Sequence, residues 1–281
     1  LKVSELLDLC RREMADAGIA GRLDPDVVVS ALTGVPRSRL FVDKDRDAGD
    51  MGAALRSWIA RLSAGEPIQY VAGAWEFYGR EFLLTRDTLI PRPETEGLVE
   101  RVIEAWNRSG REKGSFLDIG TGSGAIAVTL AAELPSVKVI ATDISPAALA
   151  VARENARRHG AGGRVAFLCG DATSALKRGD RFDVVVSNPP YVSEGEWSSL
   201  PAEVRDFEPP GALLGGTDGL SVLRRLAAAA GEILAPRGEL WCEIGESQGE
   251  SVRRLPSGPL RFVAVYKDLA GRDRVARWAK V

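Results

Sequence analysis

Leu117-Asp118-Ile119-Gly120-Thr121-Gly122-Ser123-Gly124 is the stretch on which the fold turns. Its apolar start reads as a strand and its glycines as a tight turn, with a helix over 124–133 after it. Glycine permits positive φ and lets the backbone come close to a ligand. The first turn of the following helix offers free N–H groups. Gly120, Gly122 and Ala125 also satisfy the loose dinucleotide pattern of nicotinamide enzymes, so this string alone leaves the ligand open.

Outward from it, strands and helices alternate. Strands are predicted at 115–119, 137–142, 164–168, 182–187 and 238–244, with helices over 146–159 and 219–234 between them. Such alternation implies an α/β, doubly wound, mostly parallel sheet. Leu260 to Tyr266 and Arg274 to Lys280 also read as strands. The segment joining them is too short for a helical crossover, so they should pair antiparallel and complete a seven-stranded, Rossmann-like sheet.

The first 64 residues read as a small helical bundle. Leu6, Leu7, Leu9, Cys10 and Met14 recur at helical spacing. Asp24-Pro25 reads as an N-cap with proline at the first helical position, and a further helix fits Ala48 to Leu62. Residues 65–85 read as a β-hairpin linker, with Gln69 to Gly73 and Glu81 to Thr85 as its strands. Pro93, Glu94 and Glu96 suit the first turn of a helix opening a third segment, 86–281.

Composition narrows the function. The 281 residues carry a net charge of −2, with 45% hydrophobic and 27% charged residues, as an ordinary globular protein does. The pI of about 5.7 argues against a global basic field for nucleic acid. Arg153, Arg157 and Arg158 read as the solvated face of a helix. Cys10, Cys169 and Cys242 are far apart and share no metal spacing, so no metal is expected. Cys169 and Cys242 lie in strand-like runs and read as buried small hydrophobes, which suits a reducing cytoplasm. No signal peptide and no membrane-spanning run is visible.

Asn188-Pro189-Pro190-Tyr191 follows the apolar run Phe182 to Ser187. Two prolines stop that strand and hold Asn188 and Tyr191 at its carboxyl end, where open α/β sheets bind ligands. An amide oxygen, a proline carbonyl and a flat ring suit a planar NH2 group. Asp143, at the end of the second strand, is placed to accept both hydroxyls of a ribose; the alternative is a helix N-cap, for which Ser145 is better placed. Asp171, after the third strand, could meet the amine of an adenine or simply serve a turn. These residues would line one sheet edge, as a nucleoside cofactor needs. The one histidine, His159 beside Gly160, reads as a helix C-terminal cap.

Together these residues resemble the class I S-adenosylmethionine-dependent methyltransferases, and more narrowly the PrmC/HemK family. That family methylates the glutamine of the Gly-Gly-Gln motif in class-one peptide chain release factors. The resemblance runs from about Pro67 to the C-terminus. It rests on Ile68-Gln69-Tyr70, Ile90-Pro91-Arg92-Pro93-Glu94-Thr95-Glu96, the glycine string, Ser187 to Tyr191, Glu208-Pro209, Gly215 to Leu220 and Asp268 to Val275. It implies that Gly120, Thr121, Gly122, Ser123, Gly124, Asp143, Asp171, Ala172 and Asn188 hold S-adenosylmethionine. It also implies that Asn188, Pro189, Pro190 and Tyr191 grip the glutamine, with Asn188, Pro189 and Tyr191 catalytic. The N-terminal helices would contact the release factor in the cytoplasm, with no membrane and no direct nucleic acid involved. One departure stands out: where relatives often carry an aromatic residue against the adenine, this chain has Ala172.

Four rivals share parts of this pattern. A DNA adenine amino methyltransferase would use the same four residues, but usually with a basic groove and base flipping. A glutamine methyltransferase acting on a ribosomal protein is separated only by family resemblance at Pro93 to Glu96. A non-catalytic module on the same fold, and a nicotinamide oxidoreductase sharing only the loop and the acid, complete the set.

Overall fold

A computed structural model describes residues 1–177, 179–255 and 258–281 of the chain. The chain divides into two compact units, Leu1–Ala74 with Pro201–Phe207, and Trp75–Leu200 with Glu208–Val281.

The first unit is helical. Helices Val3–Asp16, Pro25–Thr33 and Gly52–Ser63 bury Leu6, Cys10, Met14, Val28, Val29, Leu55 and Ile59. Asp24 caps the second helix, its side chain accepting from the Asp26 N–H at 2.9 Å, with Pro25 opening the helix. The third helix starts at Gly52, later than the expected Ala48. Asp47 explains the delay: its carboxylate accepts from the Gly49 N–H at 2.9 Å and it bridges to Lys2, holding the chain extended.

The predicted strand at Gln69 to Gly73 is instead a short helix, Ile68–Ala72. Pro67 presets its entry, and Gly73 at φ 73° closes it. Arg61 holds it in place. Its guanidinium is paired with buried Glu66 at 2.8 Å and donates to the Tyr70 and Val71 carbonyls at 3.1 and 3.2 Å. Inward-facing Ile68 and Tyr70 imitate the alternation of a strand, which is why the pattern misleads. The hairpin lies just beyond, as strands β1 (Ala74–Phe77) and β2 (Arg80–Leu83). Its two-residue turn places both Tyr78 and Gly79 at positive φ, 52° and 68°. That is the twist a tight hairpin prefers.

The second unit is built on a seven-stranded sheet. In chain order its strands are β3 (Gly114–Ile119), β4 (Val137–Asp143), β5 (Val165–Cys169), β6 (Phe182–Ser187), β7 (Leu234–Glu243), β8 (Leu260–Lys267) and β9 (Asp273–Lys280). In space they run β5-β4-β3-β6-β7-β9-β8. All pairs through β7 are parallel, and β9 runs antiparallel to both β7 and β8. Successive residues feed opposite faces: Phe116, Val184 and Val186 enter one apolar core, Leu117 and Val185 the other. Burial on both faces explains the continuous apolar runs. Chain order reverses at β3, and the carboxyl ends of β3 and β6 open on that switch point.

Two small features bear on the site. Ser145 is the N-cap of helix Pro146–Arg158, accepting from the Ala148 N–H at 3.1 Å, which frees Asp143 for other work. His159 closes that helix, its ring hydrogen-bonded to the Glu81 carbonyl at 2.8 Å and packed on Phe82. Cys10 and Cys242 are buried, but Cys169 is exposed, contrary to the strand-core reading. It is the last residue of β5, an edge strand, where a neighbour is missing on one side. Among the described residues no helix is long and apolar enough to cross a membrane.

Candidate active site

A cavity of about 460 Å³ opens at the carboxyl edge of β3 to β6. Gly120 and Gly122 form one wall, at φ 74° and 54°. Their turn is tied to the next strand, with the Gly120 and Thr121 N–H groups donating to the Thr142 carbonyl at 2.9 and 3.0 Å. Thr121, Ser123 and Gly124 are not at the wall; they shape the loop from behind. The Thr121 hydroxyl donates to buried Asp118 at 2.6 Å, and Asn155 donates to the Ser123 carbonyl at 2.8 Å. A Cβ on Gly124 would lie 3.1 Å from that of Ala152, so the missing side chain lets two helices approach.

Asp143 is oriented by backbone. One oxygen accepts from the Gly122 N–H at 2.8 Å and the other from the Ser145 N–H at 2.9 Å. Each carboxylate oxygen has a second lone pair, so acceptor capacity toward the cavity remains. Asp171 and Ala172 form the far side, with Asp171 paired to Arg225 at 2.6 Å. Ala172 sits at φ 49°, a left-handed conformation that bulky residues resist. Ile144 borders the same space and is 70% exposed. So large an apolar side chain left open beside a cavity suits a flat ligand. Only its position directly after Asp143 hints at this in the sequence.

Asn188, Pro189 and Pro190 complete the wall, whereas Tyr191 is turned away. The Asn188 side-chain NH2 donates to Thr95 Oγ1 at 3.1 Å, and the Thr95 hydroxyl donates to Glu243 Oε2 at 2.6 Å. The Tyr191 hydroxyl also bonds Glu243, and burial with that acid nearby raises its pKa well above the phenolic range. Thr95 and Glu243 have no part in the sequence reading of the site. The available signal was a carboxylate inside the apolar run Leu240-Trp241-Cys242-Glu243-Ile244.

The loop is also held from behind. Gln248 Nε2 donates to the Tyr191 carbonyl at 3.0 Å and to the Gly219 carbonyl at 3.3 Å. Val192 exchanges backbone hydrogen bonds with Leu213 and Gly215 at 2.9 and 2.8 Å. Glu208 pairs with Arg92 and accepts from the Ile90 N–H at 3.2 Å. The strings around Tyr191 and Gly215 to Leu220 are thus tied together beside the cavity, as are those at Ile90 to Arg92 and Glu208.

Comparison with known proteins agrees with this geometry. Residues 5–73 match the family described as PrmC N-terminal domain, and residues 95–203 match Methyltransferase small domain. The chain is 43% identical over 274 residues to a release factor glutamine methyltransferase of Nitratidesulfovibrio vulgaris, covering 96% of this chain and 92% of that one. It is 44% identical over 255 residues to the protein of the same name from Koribacter versatilis, covering 90% and 89%.

The chain belongs to the release factor glutamine methyltransferase family.

Solved structures add the fold. A methyltransferase from Pyrococcus furiosus superposes with a TM-score of 0.52 at 19% identity, over 79% of this chain and 96% of that one. A 16S rRNA N2 G1207 methyltransferase from T. thermophilus gives 0.53 at 18% identity, over 74% and 50%. This member of the release factor glutamine methyltransferase family therefore has the class I methyltransferase sheet.

Two buried acids give it a pH signature. Burial pushes the carboxyls of Asp118 and Glu243 each up to about 7. A raised carboxyl binds its proton more tightly in the folded than in the unfolded chain. Stability is then fully present below the unfolded value near 4 and is lost as pH rises through about 7. Melting temperature should therefore fall between about pH 5 and about pH 8, and Asp118→Asn should flatten the fall. Thermal melts across that range check it; a rising curve would contradict it.

Proposed function

We propose that the chain transfers a methyl group from S-adenosylmethionine to the side-chain amide nitrogen of the glutamine in the Gly-Gly-Gln motif of class-one release factors. The observation that carries this is one cavity wall shared by Gly120, Gly122, Asp143 and the Asn188-Pro189-Pro190 turn. The donor set fits that cofactor. Asp143 keeps acceptor capacity for two ribose hydroxyls, and the glycines let the backbone approach. Ile144, Ala172, Val222 and Leu226 offer an apolar bed for a flat base. Ile144 takes the part that an aromatic after Asp171 would otherwise play. Thr121, Ser123 and Gly124 support the loop, and Asp171 with Arg225 flanks the base.

Bound there, the cofactor supplies an electrophilic methyl group. The residues of the chain must make an amide nitrogen able to attack it. That nitrogen is a poor nucleophile because its lone pair is delocalised into the carbonyl. Asn188 Oδ1 and the Pro189 carbonyl each accept one N–H of the glutamine. Those bonds favour a pyramidal nitrogen and strengthen as it becomes positive, so they stabilise the transition state more than the ground state. Pro190 keeps the turn rigid, and Tyr191, anchored at Glu243, steadies that turn from behind the cavity wall rather than packing on the amide. No base is needed before transfer, because the proton becomes acidic only afterwards; His159 lies outside the cavity wall.

Residues 1–64 hold the release factor, 65–85 link, and 86–281 carry the chemistry, in the cytoplasm and without a membrane or nucleic acid. The test is incubation with methyl-labelled S-adenosylmethionine and three substrates: a release factor, its Gln→Ala variant, and duplex DNA. Label on the intact factor alone supports the reading. Label on DNA would transfer it to the adenine amino rival.

A further inference from the structure

We propose that Glu243, acting through Thr95, sets which way round the Asn188 amide stands. The inference rests on the function proposed above and concerns how the same site selects its substrate group. Thr95 has one hydroxyl proton, and at 2.6 Å from Oε2 of Glu243 in its ionised form, which prevails above about pH 7, that proton goes to the acid. The Thr95 oxygen can then only accept from Asn188. A hydroxyl that accepts must face the amide NH2, and Asn188 Nδ2 lies 3.1 Å away. The atom left for a ligand is Oδ1, an acceptor, which is what a substrate NH2 requires. With the amide reversed, NH2 would meet NH2.

The charged and titratable groups around Glu243 come from three elements. Glu94 shares helix Pro93–Arg108 with Thr95, Tyr191 follows β6, and Arg274 lies on β9. Burial and Glu94 oppose the charge on Glu243, while the Thr95 and Tyr191 hydroxyls donate to it and Arg274 attracts it, favouring the acceptor form. Neither Thr95 nor Glu243 is at the cavity wall, so both are positioning residues. The consequence is selectivity. A fixed acceptor at Asn188 favours a glutamine and rejects the isosteric glutamate, whose carboxylate brings no N–H.

The test compares the wild type with Thr95→Val, Thr95→Ser and Glu243→Leu on a release factor, using its Gln→Glu variant as inhibitor. The wild type should bind the glutamine factor about 100-fold or more tightly than the glutamate one. Thr95→Val and Glu243→Leu, each of which removes one partner of the relay, should lower kcat about tenfold or more and cut that preference, with the dissociation constant of S-adenosylmethionine by calorimetry within about twofold of wild type. Thr95→Ser should restore both. Should Thr95→Val fail to fold, Glu243→Leu carries the same reading. An unchanged kcat and preference in Thr95→Val or Glu243→Leu would overturn the inference while leaving the proposed function intact. A wild type that does not methylate the factor would instead remove the function itself.

Discussion

Asn188→Ala should lower turnover on a release factor by about 10²–10³-fold at saturating cofactor, the size of loss seen when one preorganised polar partner of a transition state is removed. The substitution deletes the acceptor that faces the substrate NH2. It also deletes the donor to Thr95, but the Thr95 hydroxyl keeps its bond to Glu243 at 2.6 Å. Loss of one such hydrogen bond costs stability only about 1 kcal/mol. The variant should therefore fold and melt near the wild type while failing in chemistry. Steady-state kinetics with the release factor, beside a thermal melt, check it. Wild-type turnover in a folded variant would refute the hydrogen-bonding role of Asn188.

The second large effect is expected at Gly219, far along the chain from the residues it supports. Gly219 is at φ 72°, and a Cβ there would lie 2.3 Å from the Tyr191 carbonyl oxygen and 2.7 Å from Gln248 Nε2. Both clashes fall on the hydrogen bond that holds the back of the Asn188 to Tyr191 turn. Gly219→Ala combines a strained backbone with overpacking, for a loss of about 2–4 kcal/mol and a displaced turn. Gly97 gives the opposite sign. It lies inside helix Pro93–Arg108, with nothing within 4 Å of an added Cβ and no positive φ. There, alanine should stabilise by about 0.5–1 kcal/mol. Denaturant melts of the two variants decide the matter: equal effects would mean that the loop yields where packing says it cannot.

Much of the sheet is legible in the sequence because parallel strands buried on both faces are continuously apolar. Phe182 to Ser187 is predicted and found with the same bounds. The antiparallel end follows from a connection too short for a helix. Short elements are less legible. Helix Ile68–Ala72 exists because Arg61 and Glu66 hold it, and the alternation of five residues cannot reveal that. Placement at the site divides the same way. Gly120, Gly122, Asp143, Asp171 and Asn188 meet at one cavity because strand ends in one sheet must share an edge. The pairing of Thr95 with Glu243 joins positions 148 residues apart, and that of Asp171 with Arg225 spans 54. No local pattern encodes such contacts. Tyr191 shows the limit most clearly: its neighbours in sequence line the cavity, while its hydroxyl turns inward to an acid on β7.

The most direct measurement is mass mapping of a release factor after reaction with the enzyme and S-adenosylmethionine. The account predicts a single added methyl, on the glutamine of the Gly-Gly-Gln peptide, located on the side-chain nitrogen and formed about 10²–10³-fold more slowly when Asn188→Ala replaces the wild type. A methyl on any other residue, or the same initial rate from the variant, would contradict it.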